Sequence, residues 1–388
     1  MQPLATGRVA AVVRSTLAVL LLSLALAGTA GSTQAPSTAP AAERAGAGRW
    51  EAAIERGRAT LQAMIDRGEA PGCSVAVAVG GQVVWSEGFG WADLEQRVPA
   101  TAATRFGIGS ISKSLTAAGL VALADAGLLD LDAPVERYVP DFPYPGRGAT
   151  LRRIASHQSG LGDEIATRLY STTEHFATVE AAYGAVREER LVYEPGSRAE
   201  YATGSYTLLG RAMEEAAGRG FVEILEERVF APAGMTGVVA NDPRRLIPHR
   251  TRFYLDAEGG GFENAPTYDP SHKLPGAAFL ATAEDLARFG AALLRSGMLS
   301  ERGRTELFRP VPLADGTATE FALGFRAKDD DGRRLLHQPG GGIGISAWLF
   351  VYPDDDLVVA LLSNVPTGPV GGATRRAITD AFFSAMRE

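Results

Sequence analysis

Apolar side chains at Trp50, Ile54, Leu61, Met64 and Ile65 recur near helical spacing up to Gly68 and predict an amphipathic helix. Two β-rich runs follow, residues 73–79 and 82–86, separated by Gly80-Gly81. That glycine pair supplies the positive φ angles a tight hairpin needs. A second pair of runs, 345–352 and 357–363, flanks Pro353-Asp354-Asp355-Asp356. After it, residues 373–386 read as a closing helix, with Ile378, Phe382 and Met386 four apart. Helix then hairpin at one end, and hairpin then helix at the other, predict an α/β (α+β) fold. Its antiparallel sheet is built from both chain termini and flanked by helices.

The middle, roughly 110–310, reads as helix and loop. Helical runs at 112–126 and 206–217 end at Gly127 and Gly218, and Thr282-Ala283-Glu284-Asp285 resembles a capping box that opens another helix. Because the sheet needs both chain ends, residues 49–388 are expected to form one domain.

The first 48 residues follow neither period. Arg8 and Arg14 precede an apolar run over 17–27, broken only by Ser23, and small residues Gly28, Thr29 and Ala30 follow. This order predicts a signal peptide over 1–30. The run falls short of the roughly 20 apolar residues a spanning helix needs. Residues 31–48 are rich in Ala, Pro, Ser, Thr and Gly, the composition of a flexible linker. The mature chain is therefore expected to be periplasmic or secreted, without a stable membrane span.

Lys and Arg number 38 against 45 Asp and Glu, a net charge of −7, and no basic block occurs. That balance excludes a nucleic-acid partner, since phosphate neutralisation needs clustered positive charge. Cys73 is the sole cysteine, so no internal disulfide or thiolate metal cluster can form. None of the five histidines is spaced as a metal-ligand pair, and no metal or other cofactor is expected. No G-x-S-x-G elbow is present, which argues against an α/β-hydrolase triad.

Lysine is scarce: Lys113, Lys273 and Lys328 stand against 35 arginines. Guanidinium stays charged, so a site needing a deprotonatable amine must keep lysine. Lys113 lies in Phe106-Gly107-Ile108-Gly109-Ser110-Ile111-Ser112-Lys113, an S-x-x-K spacing. If a helix starts here, residues three apart share a face with Cβ atoms about 5–6 Å apart, so Lys113 can reach the Ser110 hydroxyl. Backbone N–H groups at a helix start also favour a developing oxyanion. The bland alternative is an N-cap serine beside a solvated lysine.

Residues 71–161 resemble the penicillin-binding-protein-like serine hydrolases, which include class C β-lactamases, D-amino-acid peptidases and esterases. The resemblance rests on Pro71-Gly72, Gly88-Phe89-Gly90, the Ser110-x-x-Lys113 segment, Leu129-Asp130-Leu131-Asp132 and Ser156-His157-Gln158-Ser159-Gly160-Leu161, in that order. Tyr201-Ala202-Thr203 is similar to that family's second motif, and Phe279 through Leu286 to its late helix. The resemblance implies an acyl-enzyme on Ser110, assisted by Lys113 and Tyr201, acting on a small-molecule or peptide substrate. Lys113 and Tyr201 both stand as candidate bases. A free phenol ionises near pH 10 and needs a neighbouring ammonium to serve as one.

Two departures stand out. Thr203 occupies a position where the β-lactamases of this group carry Asn, which favours an esterase or peptidase over an antibiotic hydrolase. The third motif, a basic residue, a small one and Gly, is here His337-Gln338-Pro339-Gly340-Gly341, and two registers are open. One puts His337 near the pocket; the other puts Gln338 in the basic residue's place. In either, Gly340 or Gly341 offers an oxyanion donor. The altered motif also leaves room for a catalytically silent, ligand-binding relative.

Overall fold

The apolar periods at the chain ends become two helices and the sheet they cover. The computed structural model describes residues 41–388 apart from Pro369. The expected signal peptide and residues 31–40 of the expected linker lie outside the described residues. Helix α1 (Ala41–Asp66) leads into β1 (Gly72–Val79), β2 (Gln82–Asp93) and β3 (Val98–Pro99). Near the other end run β4 (Arg326–Asp330), β5 (Arg333–Gly342), β6 (Ile345–Tyr352), β7 (Leu357–Ser363) and α5 (Gly372–Arg387). Residues 41–48, read from composition as linker, are the first turns of α1; alanine is also the strongest helix former.

The seven strands form one sheet in the order β3-β2-β1-β7-β6-β5-β4, and every pairing is antiparallel. The two terminal hairpins join at its centre, where β1 pairs with β7 from Cys73 opposite Ser363 to Val79 opposite Leu357. Gly80 and Gly81 turn the first hairpin at φ 60° and 80°, a left-handed pair that suits only residues without a Cβ penalty. The sheet built from both chain ends is thus as the sequence predicts.

Strand alternation sorts the side chains into two layers. Val75, Val77, Phe350, Val359 and Leu361 meet Trp50, Leu61, Met64, Ile378 and Phe382 from α1 and α5. Ala76, Leu336, Ala347, Leu349, Ala360 and Leu362 face α2 (Ile111–Asp125) and α4 (Ala283–Leu293). Helix α4 opens with the capping box at Thr282 and Asp285, and α3 (Gly204–Ala217) ends at left-handed Gly218. Among the described residues, no helix is long and apolar enough to cross a membrane.

Helix α2 lies at the heart of this second layer. Ile111 through Leu123 are all buried, hydroxyls included. Those hydroxyls find carbonyls: Ser114 Oγ donates to Gly324 O at 2.6 Å and Thr116 Oγ1 to Pro275 O at 2.6 Å. A buried polar group without such a partner would cost about 1–3 kcal/mol. The helix start is thereby held in place under the sheet, directly against β5.

Candidate active site

Ser110 is the N-cap residue of α2, with φ −65° and ψ −4°, and its side chain makes no capping bond. Its hydroxyl is free for another role. One turn on, Lys113 is fully buried, and its Nζ lies 3.1 Å from Ser110 Oγ, 3.2 Å from Thr203 Oγ1 and 3.0 Å from Gly276 O. This three-partner shell suits both protonation states. An ammonium donates to all three. A neutral amine donates to Gly276 O and Thr203 Oγ1 and accepts from the Ser110 hydroxyl.

Thr203 is the N-cap residue of α3 but does not cap it with its own hydroxyl. Asp163 does that work, its Oδ1 accepting from Thr203 N at 2.9 Å and Gly204 N at 2.8 Å. The Thr203 hydroxyl is thereby left to Lys113.

Tyr201, 38% exposed, stands at the rim with its ring centroid 4.7 Å from Lys113 Nζ. Its hydroxyl accepts from Gln338 Nε2 at 3.4 Å. His157 supports the ring from behind, with centroids 4.2 Å apart and planes at 30°. His157 adopts φ 61°, and its Nδ1 accepts from Ala202 N at 3.3 Å, which puts the proton of the neutral ring on Nε2. Burial, then the charges of Lys113 and Arg326, hold this imidazole well below its usual range, so it stays neutral.

The structure brings Ser110, Lys113, Thr203, Tyr201 and the β5 glycines together, and leaves His337 out. His337 projects into the α1/α5 layer, stacked on Trp348 and Phe350 at centroid distances of 6.2 and 6.5 Å. The reading that put His337 near the pocket is corrected by strand alternation. Leu336 and Gln338 face α2, so His337 between them faces away. Gln338 therefore stands where the basic residue was expected.

Two glycines let β5 approach the head of α2. A Cβ on Gly340 would lie 2.0 Å from Ile108 O, and one on Gly109 would lie 2.8 Å from Gly341 N. Gly109 also sits at φ +47°. The close approach sets Gly341 N beside the residue preceding Ser110.

Sequence reasoning missed Asp163, Gly276, Arg326 and Lys273. For Lys273 a clue existed, since it is one of three lysines. Arg326 lies 5.8 Å from the Tyr201 ring centroid. Cys73 is fully buried and its thiol is pushed up by desolvation, as a small hydrophobe in β1. Elsewhere His175, Asp242 and Asp269 converge within 4.8 Å, but Arg244 already fills the cluster by contacting His175 Nε2 and Asp242.

The Beta-lactamase family profile matches residues 58–382. The chain is similar to the serine beta-lactamase-like protein LACTB, mitochondrial, of Homo sapiens, at 29% identity over 408 residues, spanning 81% of this chain and 74% of that protein. It is also similar to a D-aminopeptidase of Brucella anthropi, at 30% identity over 285 residues, spanning 72% of this chain and 52% of that protein. Among solved structures, D-amino acid amidase from Ochrobactrum anthropi SV3 has the same fold, with a TM-score of 0.73 at 22% identity, over 86% of this chain and 99% of that one.

Proposed function

The chain belongs to the beta-lactamase family and is a serine hydrolase of that family, and from this premise we propose that it cleaves an ester or amide through an acyl-enzyme on Ser110. The observation that carries the reading is the 3.1 Å contact between Lys113 Nζ and Ser110 Oγ inside a shell that accepts either protonation state. Ser110 Oγ attacks the substrate carbonyl carbon as its proton passes to Lys113 Nζ. The carbonyl oxygen, now negative, accepts from the N–H groups of Ser110 and Gly341. Collapse expels the alcohol or amine, which takes the proton back from Lys113 and leaves the amine neutral for the second half-reaction. Water then attacks the acyl carbon by the same route, and Ser110 regains its proton. Lys113 is the base in this scheme because it touches the nucleophile, whereas the Tyr201 hydroxyl turns to Gln338.

Thr203 in place of an asparagine supports an esterase or peptidase over a β-lactamase, since a hydroxyl lacks an amide's separate donor and acceptor. A D-aminopeptidase among the relatives supports the peptidase side. The rival is a catalytically silent binding protein, favoured by Gln338 at the third motif. An activated acyl ester separates the two: a burst near one equivalent per site, with the acyl group mapped to the Ser110 peptide, is expected. A fluorophosphonate that labels nothing, or labels elsewhere, overturns the proposal.

Export is part of the same proposal, supported by Arg8, Arg14 and the apolar run over 17–27. Intact mass of the secreted protein should show loss of about 25–35 residues, the usual length of such segments. Full-length chain held in the membrane fraction would count against it.

A further inference from the structure

Lys273 ends the turn Pro270–Lys273, three residues before Gly276, whose carbonyl accepts from Lys113 Nζ. Its side chain is buried, with 7% of the residue exposed. Its Nζ lies 4.2 Å from the Tyr170 ring centroid and 5.8 Å from that of Tyr268. Among the described residues it has no hydrogen-bond partner and no carboxylate within ion-pair distance. Asp163 is close enough to favour its charge, yet that carboxylate is engaged at the head of α3. Lysines are almost never this buried without a paired acid. The two tyrosine faces offset part of the desolvation cost and keep the amine in place.

Tyr268 is also a wall of a cavity of about 400 Å³ lined by Asn241, Arg250, Thr251, Phe253 and Asn264. Phe253 covers Gly107 and Gly344, so the cavity adjoins the segment that carries Ser110. Arg250 donates to the Asp242 carbonyl at 3.0 Å and pairs with no carboxylate among the described residues. Lys273 is thus a buried cation that feels the charge of Lys113, the neighbour of Ser110, and has no carboxylate within ion-pair distance among the described residues. A buried charge lacking its counterion is complementary to an anion that a ligand brings.

We propose that Lys273 binds a carboxylate on the substrate's acyl group, so that the enzyme selects anionic acyl donors over neutral ones of the same size. The proposal rests on Ser110 being the nucleophile. Burial and the neighbouring Lys113 charge lower Lys273 to about 8, so below that pH it carries the charge the role needs. The groups around it are Lys113 from α2, Asp163, Tyr170, Tyr268 and the adjoining His272. His272 is held at about 4, and both tyrosines are pushed up by burial, so these three keep one charge state around pH 8.

The test compares mono-p-nitrophenyl glutarate with its methyl ester on the mature protein. The wild type should prefer the free acid, by roughly 10–100-fold in kcat/KM, the worth of one charge-assisted hydrogen bond. Lys273→Met should abolish the preference, Lys273→Arg should keep part of it, and in the wild type the ratio should decline as pH rises through about 8. No preference in the wild type, or equal losses on both esters in Lys273→Met, overturns the proposal and leaves Lys273 as a packing residue. Calorimetric titration of Ser110→Ala protein with glutarate reads the same site without chemistry. Binding lost on adding Lys273→Met supports the anion site even if esters turn over independently of Ser110. Absence of binding counts against it.

Discussion

Two regions meet across the site: the head of α2, with Ser110 and Lys113, and the end of β5, with Gln338 to Gly341. They are held by different geometries. On the helix, residues three apart share a face, and the Lys113 to Ser110 contact at 3.1 Å follows from spacing alone. On the strand, one step reverses the face. Gln338 reaches Tyr201, while His337 stacks on Trp348 in the opposite layer. A helical motif therefore specifies its partners locally. A strand motif does so only once its register is fixed by neighbours, here β6 with Gly340 opposite Ala347.

The largest effects are expected on the helical side. Ser110→Ala should lose about 10⁴-fold or more in turnover of an activated ester, because nucleophile and base act as a unit. Lys113→Arg should come close to Lys113→Ala, each losing about 10³-fold or more, although arginine keeps the charge. Guanidinium cannot give up its proton, and its fork does not fit a shell of three single acceptors. Steady-state kinetics on the two variants checks this, and an Arg variant within tenfold of the wild type would remove Lys113 from proton transfer.

The same contrast explains how much was legible in the chain. The terminal hairpins and their helices could be read because period 2 and period 3.6 are local, as Gly80-Gly81 and the 345–363 pair demonstrate. The Ser110 and Lys113 pair was legible through helical spacing, and Tyr201 only through the family resemblance of its segment. Strands β4 and β5 were not, since Arg333 to Gly342 mixes charged, polar and glycine positions with no alternation to follow. The face of His337 depended on that register. Asp163 and Gly276 act through contacts 40 or more residues away in sequence, Asp163 capping Thr203 and Gly276 accepting from Lys113. Residues brought together only by folding leave no spacing to read.

On the strand side, Gly340→Ala should have the next largest effect. Its Cβ would lie 2.0 Å from Ile108 O, a backbone atom, so β5 must retreat from the head of α2. Turnover should decline about 10²–10³-fold, the scale seen when an oxyanion donor is displaced. Stability should drop by about 1–3 kcal/mol, as overpacking usually costs. Urea unfolding beside ester kinetics measures both, and an Ala variant with full activity would disprove the close approach. Gln338→Ala should be milder, about tenfold in turnover, since it removes a single 3.4 Å contact to Tyr201.

The smallest effect on turnover belongs to His337, and it sharpens the comparison most because it adjoins Gln338. Facing the α1/α5 layer, it touches none of the groups around Ser110, so His337→Phe should change turnover by less than about twofold, as for a substitution with no special contact to the reacting groups. Its influence lies in acid stability. His337 is 8% exposed, and its Nδ1 has no hydrogen-bond partner among the described residues. Burial, then the charges of Lys328 and Arg326, lower it from 6.5 to about 4. The folded protein thus resists protonating a ring that the unfolded chain protonates readily. The stability this group contributes is present above about pH 6.5 and declines as pH falls through about 4. The total is about 3 kcal/mol, from 1.36 kcal/mol per pKa step. Phenylalanine keeps a ring against Trp348 and Phe350 and has no proton to take up. His337→Phe should therefore flatten part of the stability decline between pH 6.5 and 4, while the buried His272 and His157, both lowered by desolvation, continue to contribute to it. Unfolding midpoints at pH 7 and pH 4.5 measure the difference. A variant with wild-type acid sensitivity, or one whose turnover collapses, would put His337 on the other face of β5.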